Sequence, residues 1–323
     1  MTSWAGCAKY FPRVQIFMTK QTILPLLSGL LLAMTLAGAG AVHAQDNGGL
    51  ATAVAAAQKG DAAAQYALAK HYAKGDGVPQ DYARAAEWMR RAADQGFAYA
   101  QNDLGVFYAK GQGVRQNFTK AARWYRQAAK AGDPLGQYSL GRSYAEGRGL
   151  PTNALEALKW YQKAARQKQS DAMLALGFLY LDGRESIPVN FTQARAWFEK
   201  AEALGRAEAL NPLGYIYEHG GNGVERDPAQ AAFYYRKAAE KNDAQGQMNL
   251  GCMYRDGSGV KTDLVEAYKW FDIATQNGEP IARHYLEEME GKNPLNRPIL
   301  SPAQIAEAKR RAAAFLPLRQ TSP

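Results

Sequence analysis

The chain has 323 residues, of which 47% are hydrophobic and 21% are charged. It is therefore able to bury a large core, and its length alone would predict about two domains. The formal charge is +9, but the basic residues are spread along the chain without a block of five like charges. This distribution favours solvated helix faces and argues against a concentrated site for an acidic partner or an anionic membrane surface.

The N-terminus has the pattern of a secretory signal. Residues 23–41 form a nearly uncharged apolar run, followed by Val42-His43-Ala44, with small residues at the two positions that a signal peptidase reads. We predict a signal peptide over residues 1–44, cleaved after Ala44, with Met18 as an alternative start. An uncleaved anchor is the other interpretation, since about 19 apolar residues are able to span a bilayer. Proline and glycine within the run favour removal. We therefore expect a periplasmic or secreted protein with no stable membrane insertion after cleavage.

Self-similarity at a period of 36–37 residues dominates the rest of the chain. Six copies begin near Gly60, Gly96, Gly132, Lys168, Gly205 and Asn242. Sustained repetition at this period is typical of a solenoid, in which each repeat contacts its neighbours. We predict an all-α solenoid over residues 50–290, composed of a half repeat, six repeats and a capping helix. A linker and a C-terminal capping helix are expected over residues 291–323.

The first helix of each repeat carries a leucine, a tiny residue directly after it, and a tyrosine four positions after the leucine. In the second repeat these residues are Leu104, Gly105 and Tyr108. The four-residue separation places leucine and tyrosine on one helical face. Glycine inside a helix is unfavourable, so its recurrence indicates close approach of a neighbouring helix. A further glycine three residues past the tyrosine, Gly111 in this repeat, predicts the end of the helix.

The second helix of each repeat opens on Asp or Asn, and a large aromatic residue follows seven positions later. In the second repeat these residues are Asn117 and Trp124. Asp and Asn accept hydrogen bonds from the free amides of a first helical turn, so they predict N-caps. Because the cap and the aromatic residue are two turns apart, we expect the ring to lie on a fixed face and to pack in the core against the adjacent helix pair.

Three places depart from the pattern. Repeats four and five are one residue longer, with the extra residue in the turns near Ser186 and Gly220, where insertions are tolerated. Pro212 lies within the first helix of repeat five and should kink or delay it. After repeat six, Glu287 and Glu290 stand where the glycine and tyrosine are expected. Polar residues at packing positions are typical of a terminal cap.

The pattern A-x-x-x-L-G-x-x-Y-x-x-G-x-G-V, then D/N, then W-Y/F-x-K/R-A-A resembles that of the Sel-one-like repeat (SLR) family, a relative of the tetratricopeptide repeats. The resemblance implies a right-handed α/α superhelix that serves as a scaffold or adaptor for protein complexes. Exported bacterial members are associated with envelope assembly, secretion or host contact. A cysteine-rich subgroup has two cysteines in every repeat and is linked to β-lactam binding. The two cysteines of this whole chain count against that activity.

No motif in the sequence predicts catalysis. No pair of histidines has metal-ligand spacing and there is no Cys-x-x-Cys, while the Gly-x-Gly turns lack the lysine and the preceding strand of a phosphate loop. Basic and aromatic residues alternate on the second helices, as in single-strand binders, but the rings recur at a packing position. We predict a non-enzymatic protein with no cofactor, no metal and no nucleic-acid partner. The alternative is a cell-wall-associated enzyme or binder, either β-lactamase-like or peptidoglycan-binding.

A protein or peptide partner is expected in the concave groove that the first helices of such a solenoid line. Contact positions should lie opposite the leucine–tyrosine stripe and should vary between repeats. Tyrosine is enriched in interfaces. The candidate partner-binding residues are Tyr66, Tyr99, Asn102, Tyr138, Arg142, Phe178, Asn211 and Tyr215. The alternative is that these side chains pack one helix against the next.

Overall fold

The computed structural model describes residues 47–184, 186–292 and 298–315, and the predicted signal peptide lies outside them. Within these ranges every named element is a helix, and the β contacts are two isolated bridges, Arg184–Ile187 and Gly221–Val224. No helix in this part of the chain combines the length and the apolar character needed to cross a membrane.

The described chain divides into two compact units. The N-terminal unit, residues 47–167, contains α1 (Asn47–Gln58), α2 (Ala62–Lys74), α3 (Tyr82–Asp94), α4 (Ala98–Lys110), α5 (Phe118–Lys130), α6 (Pro134–Glu146) and α7 (Ala154–Arg166). The C-terminal unit, from residue 168, contains α8 (Ser170–Asp182), α9 (Phe191–Ala203), α10 (Leu210–His219), α11 (Pro228–Glu240), α12 (Ala244–Asp256), α13 (Leu264–Gln276), α14 (Pro280–Met289) and α15 (Pro302–Phe315). The helices of each repeat pack in pairs, which confirms an all-α repeat solenoid of about six repeats. The handedness of the superhelix stays a prediction.

The predicted N-caps of the second helices are confirmed. Six side chains accept hydrogen bonds from first-turn amides of their helices, namely Asp81, Asn117, Asn153, Asn190, Asp227 and Asp263. The main-chain amide of each cap residue also donates to the carbonyl of the repeat's tyrosine, at 2.8–3.0 Å. In the second repeat, for example, Asn117 donates to Tyr108. One residue therefore starts the second helix and ties it back to the first.

In repeats two to six, the glycine after the leucine faces a ring of the second helix in the same repeat. A Cβ added to Gly105 would lie only 2.5 Å from the ring of Tyr125, which explains why glycine occupies a helix interior here. The equivalent pairs are Gly141–Tyr161, Gly177–Phe198, Gly214–Tyr235 and Gly251–Phe271. In the first repeat, Ala69 and Met89 occupy the same two positions, and both are fully buried. Each repeat thus fills this layer with a small residue and one large side chain.

The aromatic residue that the sequence predicted for the core is only half-buried in the first five repeats. Trp124, for example, packs at the edge of the core, whereas its neighbour Tyr125 is buried. The prediction was therefore displaced by one residue. The physical reason is that the side chain opposite Gly105 enters the layer between the helices, while the tryptophan beside it lies at the flank of the second helix.

The longer repeats change the way in which the first helix ends. Gly111 ends α4 in the left-handed helical region, with φ 71° and ψ 29°. Gly183 and Gly220 keep a positive φ but have ψ values of 173° and −174°, a region that essentially only glycine adopts. The extended ψ directs the chain into the two isolated β-bridges, which accommodate the extra residue.

Pro212 delays the first helix of repeat five, as predicted. A short 3-10 helix, Ala207–Ala209, precedes α10, and α10 has 10 residues where the other first helices have 13. Because Pro212 is the third residue of α10, its missing N–H falls among the amides that have no partner within the helix.

Helix α15 packs against α13 at the C-terminal end. Ala308 and Ala312 are fully buried, and the ring of Phe315 meets the edge of Trp270 at 5.0 Å between centroids. Arg311 adds an ion pair with Glu266 at 2.8 Å. As a result Trp270 is buried, unlike the equivalent rings of earlier repeats.

Glu290 differs from the expectation of a bare polar cap. Its carboxylate accepts a hydrogen bond from the hydroxyl of Tyr268 and forms ion pairs with Lys292 at 2.5 Å and Lys309 at 3.7 Å. Lys309 belongs to α15. The acidic residue at the tyrosine position therefore links the last two helices to α13 instead of simply facing solvent.

Candidate partner-binding face

In the N-terminal unit the first helices α2, α4 and α6 carry the predicted contact residues on one face, which we call the N-terminal first-helix face. Its most exposed ring is Tyr99, with 53% of its surface accessible. Phe97 lies between Tyr99 and Tyr66, with ring centroids 5.8 Å and 5.3 Å away. Three rings therefore form one aromatic patch on α2 and at the start of α4.

A charged pair borders this patch. The hydroxyl of Tyr66 donates to Asp103 Oδ2 at 3.0 Å, and Lys70 forms an ion pair with the same oxygen at 3.1 Å. Burial and the nearby carboxylate of Asp103 raise the pKa of Tyr66, so its hydroxyl stays protonated and donates. Phe97 and Asp103 were not among the predicted site residues. The sequence contained a signal for Asp103, because it lies 37 residues after Tyr66, about one repeat period, which places the two side by side on neighbouring first helices.

Asn102 is not available on this face. It is 5% exposed, and its side-chain carbonyl accepts a hydrogen bond from the hydroxyl of Ser139 at 3.0 Å. Ser139 lies on α6, the next first helix of the unit. Asn102 therefore joins α4 to α6, which is the packing role that the sequence analysis left as an alternative.

Tyr138 and Arg142 lie together on α6. The guanidinium of Arg142 lies over the ring of Tyr138 at 5.8 Å from its centroid, and that ring packs at 5.8 Å against Tyr161 of α7. Burial raises the pKa of Tyr125 to about 12, even though the charge of Arg142 nearby favours the ionised form. Tyr138 and Arg142 are half-buried, so each presents only part of its surface.

In the C-terminal unit the three predicted residues lie on α8 and α10. Phe178 meets the ring of Phe198 edge-on at 5.0 Å. Tyr215 stacks on His219 at 4.1 Å. Asn211 accepts a hydrogen bond from the side-chain amide of Asn249 at 2.9 Å. Asn211 therefore repeats the role of Asn102, as a bond from one first helix to the next.

The structure thus separates the predicted residues into three groups, with Phe178 and Tyr215 each in a ring contact of its own. Tyr66 and Tyr99 share the aromatic patch, and Tyr138 and Arg142 share a second cluster on α6. Asn102 and Asn211 serve packing. No group of three or more His, Cys, Asp or Glu side chains in the described residues is arranged to hold a metal ion. The N-terminal first-helix face therefore offers partly exposed rings with polar groups at their border, which is the chemistry of a binding surface.

A family model for the Sel1 repeat matches the chain in six consecutive segments. These are residues 62–97, 98–133, 134–168, 170–205, 207–243 and 244–279. The comparison with curated proteins gave no match.

Two examples stand for the solved structures to which this chain is similar. One is a protective antigen present in uropathogenic Escherichia coli strains that displays an SLR fold, with 34% identity and a TM-score of 0.71 over 82% of this chain and 56% of the antigen. The chain thus spans little more than half of that antigen's length. The other is a Sel1 repeat protein from Oxalobacter formigenes, with 31% identity and a TM-score of 0.64 over 76% of this chain and 95% of that protein. With six matched repeats and these two likenesses, the chain belongs to the Sel1 repeat family.

Proposed function

We propose that this Sel1 repeat protein is an exported, non-enzymatic scaffold that binds a protein or peptide partner along its first helices. The observation that carries the proposal is the aromatic patch on the N-terminal first-helix face. Tyr99 is 53% exposed although its ring contacts that of Phe97, at 5.8 Å between centroids. Exposed aromatic residues grouped in this way are typical of protein-binding surfaces.

The charges around the patch indicate how a partner would gain affinity. Asp103 is already held by Lys70 and by the hydroxyl of Tyr66. Because a new ion pair would have to compete with these contacts, we expect affinity to come mainly from burial of the rings of Tyr99 and Phe97. The paired charges would then select among partners, since a mismatched charge beside them is unfavourable.

Export is supported by the apolar run and the Ala44 cleavage site of the sequence. The likeness to the E. coli protective antigen agrees with export. Cell fractionation with N-terminal sequencing of the mature protein tests this part of the proposal. We expect a periplasmic or secreted chain that begins at Gln45. Intact cytoplasmic protein that begins at Met1 or Met18 would contradict it.

The non-enzymatic part of the proposal agrees with the general character of the Sel1 repeat family as a scaffold fold. A direct test is the hydrolysis of nitrocefin and the sedimentation of the purified protein with peptidoglycan. We expect neither turnover nor sedimentation above background. Robust turnover would establish the cell-wall enzyme that the sequence analysis kept as an alternative.

The partner-binding face is tested by site-specific photocross-linking in the native envelope. A photoreactive amino acid placed at Tyr99 should yield a defined cross-linked partner, identified by mass spectrometry. Phe233 is the matched control, because it is an equally exposed aromatic residue, at 53%, that lies on the second helix α11. With the partner identified, Tyr99→Ala should reduce its capture at least tenfold, while Phe233→Ala should leave it unchanged. Equal cross-linking at both positions would contradict the proposal.

A further inference from the structure

The outer surfaces of two second helices share a pattern that the other four lack. A glutamate stands four residues before the tryptophan and a lysine directly before it. In α7 these residues are Glu156, Lys159 and Trp160, and in α13 they are Glu266, Lys269 and Trp270. The other second helices carry at the same two positions Arg84 and Glu87, Lys120 and Arg123, Gln193 and Ala196, and Gln230 and Phe233.

In α13 this pattern is the binding site for α15. Glu266 holds Arg311 at 2.8 Å, and the ring of Phe315 meets Trp270 at 5.0 Å. The ammonium group of Lys269 lies 4.3 Å from the centroid of Trp270 and 5.7 Å from that of Phe315. The arginine and the aromatic residue of α15 are four positions apart, so one face of a single helix satisfies the whole pattern.

In α7 none of the described helices covers the same pattern in the way that α15 covers it in α13. Leu155, next to Glu156, is 46% exposed, and Trp160 is half-buried. A shallow depression of about 320 Å³ lies over this surface and is lined by Glu156, Lys159, Trp160, Gln162, Lys163 and Arg166. Glu156 contacts Lys159 at 2.7 Å. The ammonium group of Lys163 lies 4.2 Å from the centroid of Trp160. We call this surface the α7 outer face.

One difference between the two surfaces defines what the α7 outer face would accept. Ile273 of α13 is fully buried and packs in one cluster with Ala312 of α15. Its equivalent in α7 is Lys163, which is exposed. A helix seated on α7 would therefore place an acidic side chain, instead of an alanine, next to the arginine that binds Glu156.

We propose that the α7 outer face binds an amphipathic helix of another protein. That helix carries an arginine for Glu156, an acidic residue directly after it for Lys163, and an aromatic residue four positions after the arginine for Trp160. Charge complementarity and the α13–α15 contact identify this occupant. The site is separate from the N-terminal first-helix face and does not depend on the function proposed above. The α15 helix of a second copy fits less well, because it is already held on α13 and has Ala312 at the acidic position.

The probe is a fluorescein-labelled peptide of residues 301–315 with the substitution Ala312→Glu. A hydrocarbon staple between positions 306 and 310, which are both exposed in α15, keeps the peptide helical, because isolated helices of this length are marginal in water. Fluorescence anisotropy with the full chain should show saturable binding. The unsubstituted peptide should bind several-fold more weakly, since it lacks the carboxylate for Lys163.

Charge reversal locates the site. Glu156→Lys should weaken peptide binding at least tenfold, and a peptide that also carries Arg311→Glu should recover it. Glu87→Lys is the matched control, because Glu87 is an exposed glutamate of α3 that pairs with Arg91 and the change in charge is the same. It should leave binding unchanged. Circular dichroism checks folding, and Glu156→Gln replaces the reversal if that variant does not fold.

Four results would overturn the proposal. The first is the absence of binding by the stapled peptide. The second is unchanged binding when the chain carries Glu156→Lys or Trp160→Ala. The third is loss of binding with Glu266→Lys instead, which would mean that the peptide displaces α15 from α13. The fourth is self-association of the chain that Glu156→Lys abolishes, which would make a second copy the occupant. Loss of binding with Glu156→Lys and recovery with the Arg311→Glu peptide would support the proposal.

Discussion

The N-terminal and C-terminal units have the same packing layer within each repeat but differ at the junctions between repeats. In the N-terminal unit the fourth residue of each first helix is a buried glutamine. In repeat one, Gln65 donates to the carbonyl of Ala57 at 3.1 Å. Gln101 and Gln137 make the equivalent bonds. In the C-terminal unit Met173 and Leu210 replace this glutamine in repeats four and five. The comparison shows that every repeat pairs a small residue with a large side chain in this layer, whereas the junction is polar in some repeats and apolar in others.

Where the junction glutamine is replaced, the residue that donates a hydrogen bond to it is replaced as well. The side-chain amide of Gln95 donates to Gln65 at 2.8 Å, and Gln167 donates to Gln137 at 2.9 Å. Gln247 in repeat six receives the same bond from Asn277. Opposite Met173 and Leu210, the corresponding residues are Leu204 and Lys241, neither of which has a side-chain amide. The two positions, 30 residues apart in repeat one, thus pair by a hydrogen bond or are both replaced in every repeat except the second.

The largest expected effect comes from breaking the layer that both units share. Gly105→Ala in the N-terminal unit and Gly214→Ala in the C-terminal unit would each place a Cβ 2.5–2.6 Å from a buried ring. Overpacking of this kind costs about 2 kcal/mol. Helix propensity alone predicts the opposite sign, a gain of about 0.5–1 kcal/mol. Urea unfolding with hydrogen exchange resolved by region should show the loss in the unit that carries the change.

A rescue variant separates overpacking from other causes. The first repeat combines Ala69 with Met89, so Tyr125→Met in the Gly105→Ala background should recover at least half of the lost free energy of unfolding, because the flexible methionine leaves room for the methyl group. Additive losses in the double variant would contradict the pairing of these two positions.

The second prediction addresses what only the C-terminal unit has, the cover that α15 provides. Phe315→Ala removes an edge-to-face contact with Trp270 and re-exposes part of that ring. We expect a loss of about 1–2 kcal/mol. Hydrogen exchange should become faster in α13 and α15 and remain unchanged in the N-terminal unit. Faster exchange across both units would contradict a local role of this contact.

The fold was accessible from the sequence because its determinants recur six times. Caps, helix-ending glycines and the delay at Pro212 follow from local chemistry, and each was placed correctly. The choice of the buried ring was not accessible, because Trp124 and Tyr125 are adjacent and both aromatic. Which of them faces Gly105 depends on how the second helix packs against the first, and in the structure it is Tyr125. The burial of Asn102 was not predictable from the sequence of α4 alone, because Ser139, which bonds to it, comes from the next repeat.

The third prediction compares the C-terminal ends of two first helices, α4 in the N-terminal unit and α8 in the C-terminal unit, which carry opposite charges. Lys110 in the last turn of α4 favours the helix dipole, whereas Asp182 at the same position of α8 opposes it. The Oδ2 atom of Asp182 is buried without a hydrogen-bond partner among the described residues. Burial raises the pKa of Asp182 to about 6, from an ordinary value of 3.8.

The sign of the pH dependence follows from this shift. The folded state holds the proton of Asp182 more tightly than the unfolded chain does, so Asp182 reduces stability as pH rises from about 4 to 6, and the full penalty is present above pH 6. Because the side chain is partly exposed, we expect Asp182→Asn to stabilise by only about 1 kcal/mol at pH 8, and by nearly nothing at pH 4. Urea midpoints at the two pH values measure the difference. An equal gain at both would exclude titration of Asp182 as its cause.

The fourth prediction has the smallest expected effect and concerns the junction of repeat two, where one hydrogen bond is missing. Ala131 stands where Gln95 and Gln167 stand in the neighbouring repeats, and Gln101 Oε1 is buried there without a partner among the described residues. The backbone of Ala131, with φ −72° and ψ −3°, is close to that of Gln95, with φ −82° and ψ 2°, so a glutamine fits without strain. Ala131→Gln should therefore donate to Gln101 and stabilise the N-terminal unit by about 0.5–1 kcal/mol.

The control for this prediction is Ala131→Glu, which has nearly the same shape but presents only acceptors to the oxygen of Gln101. It should be neutral or destabilising. Thermal unfolding should then rank the glutamine variant above the parent chain by about 1–4 °C, with the glutamate variant at or below the parent. Equal gains for glutamine and glutamate would trace the effect to helix-end propensity. A gain for glutamine alone would show that repeat two lacks a donor for the oxygen of Gln101, which the neighbouring repeats have for their own glutamine.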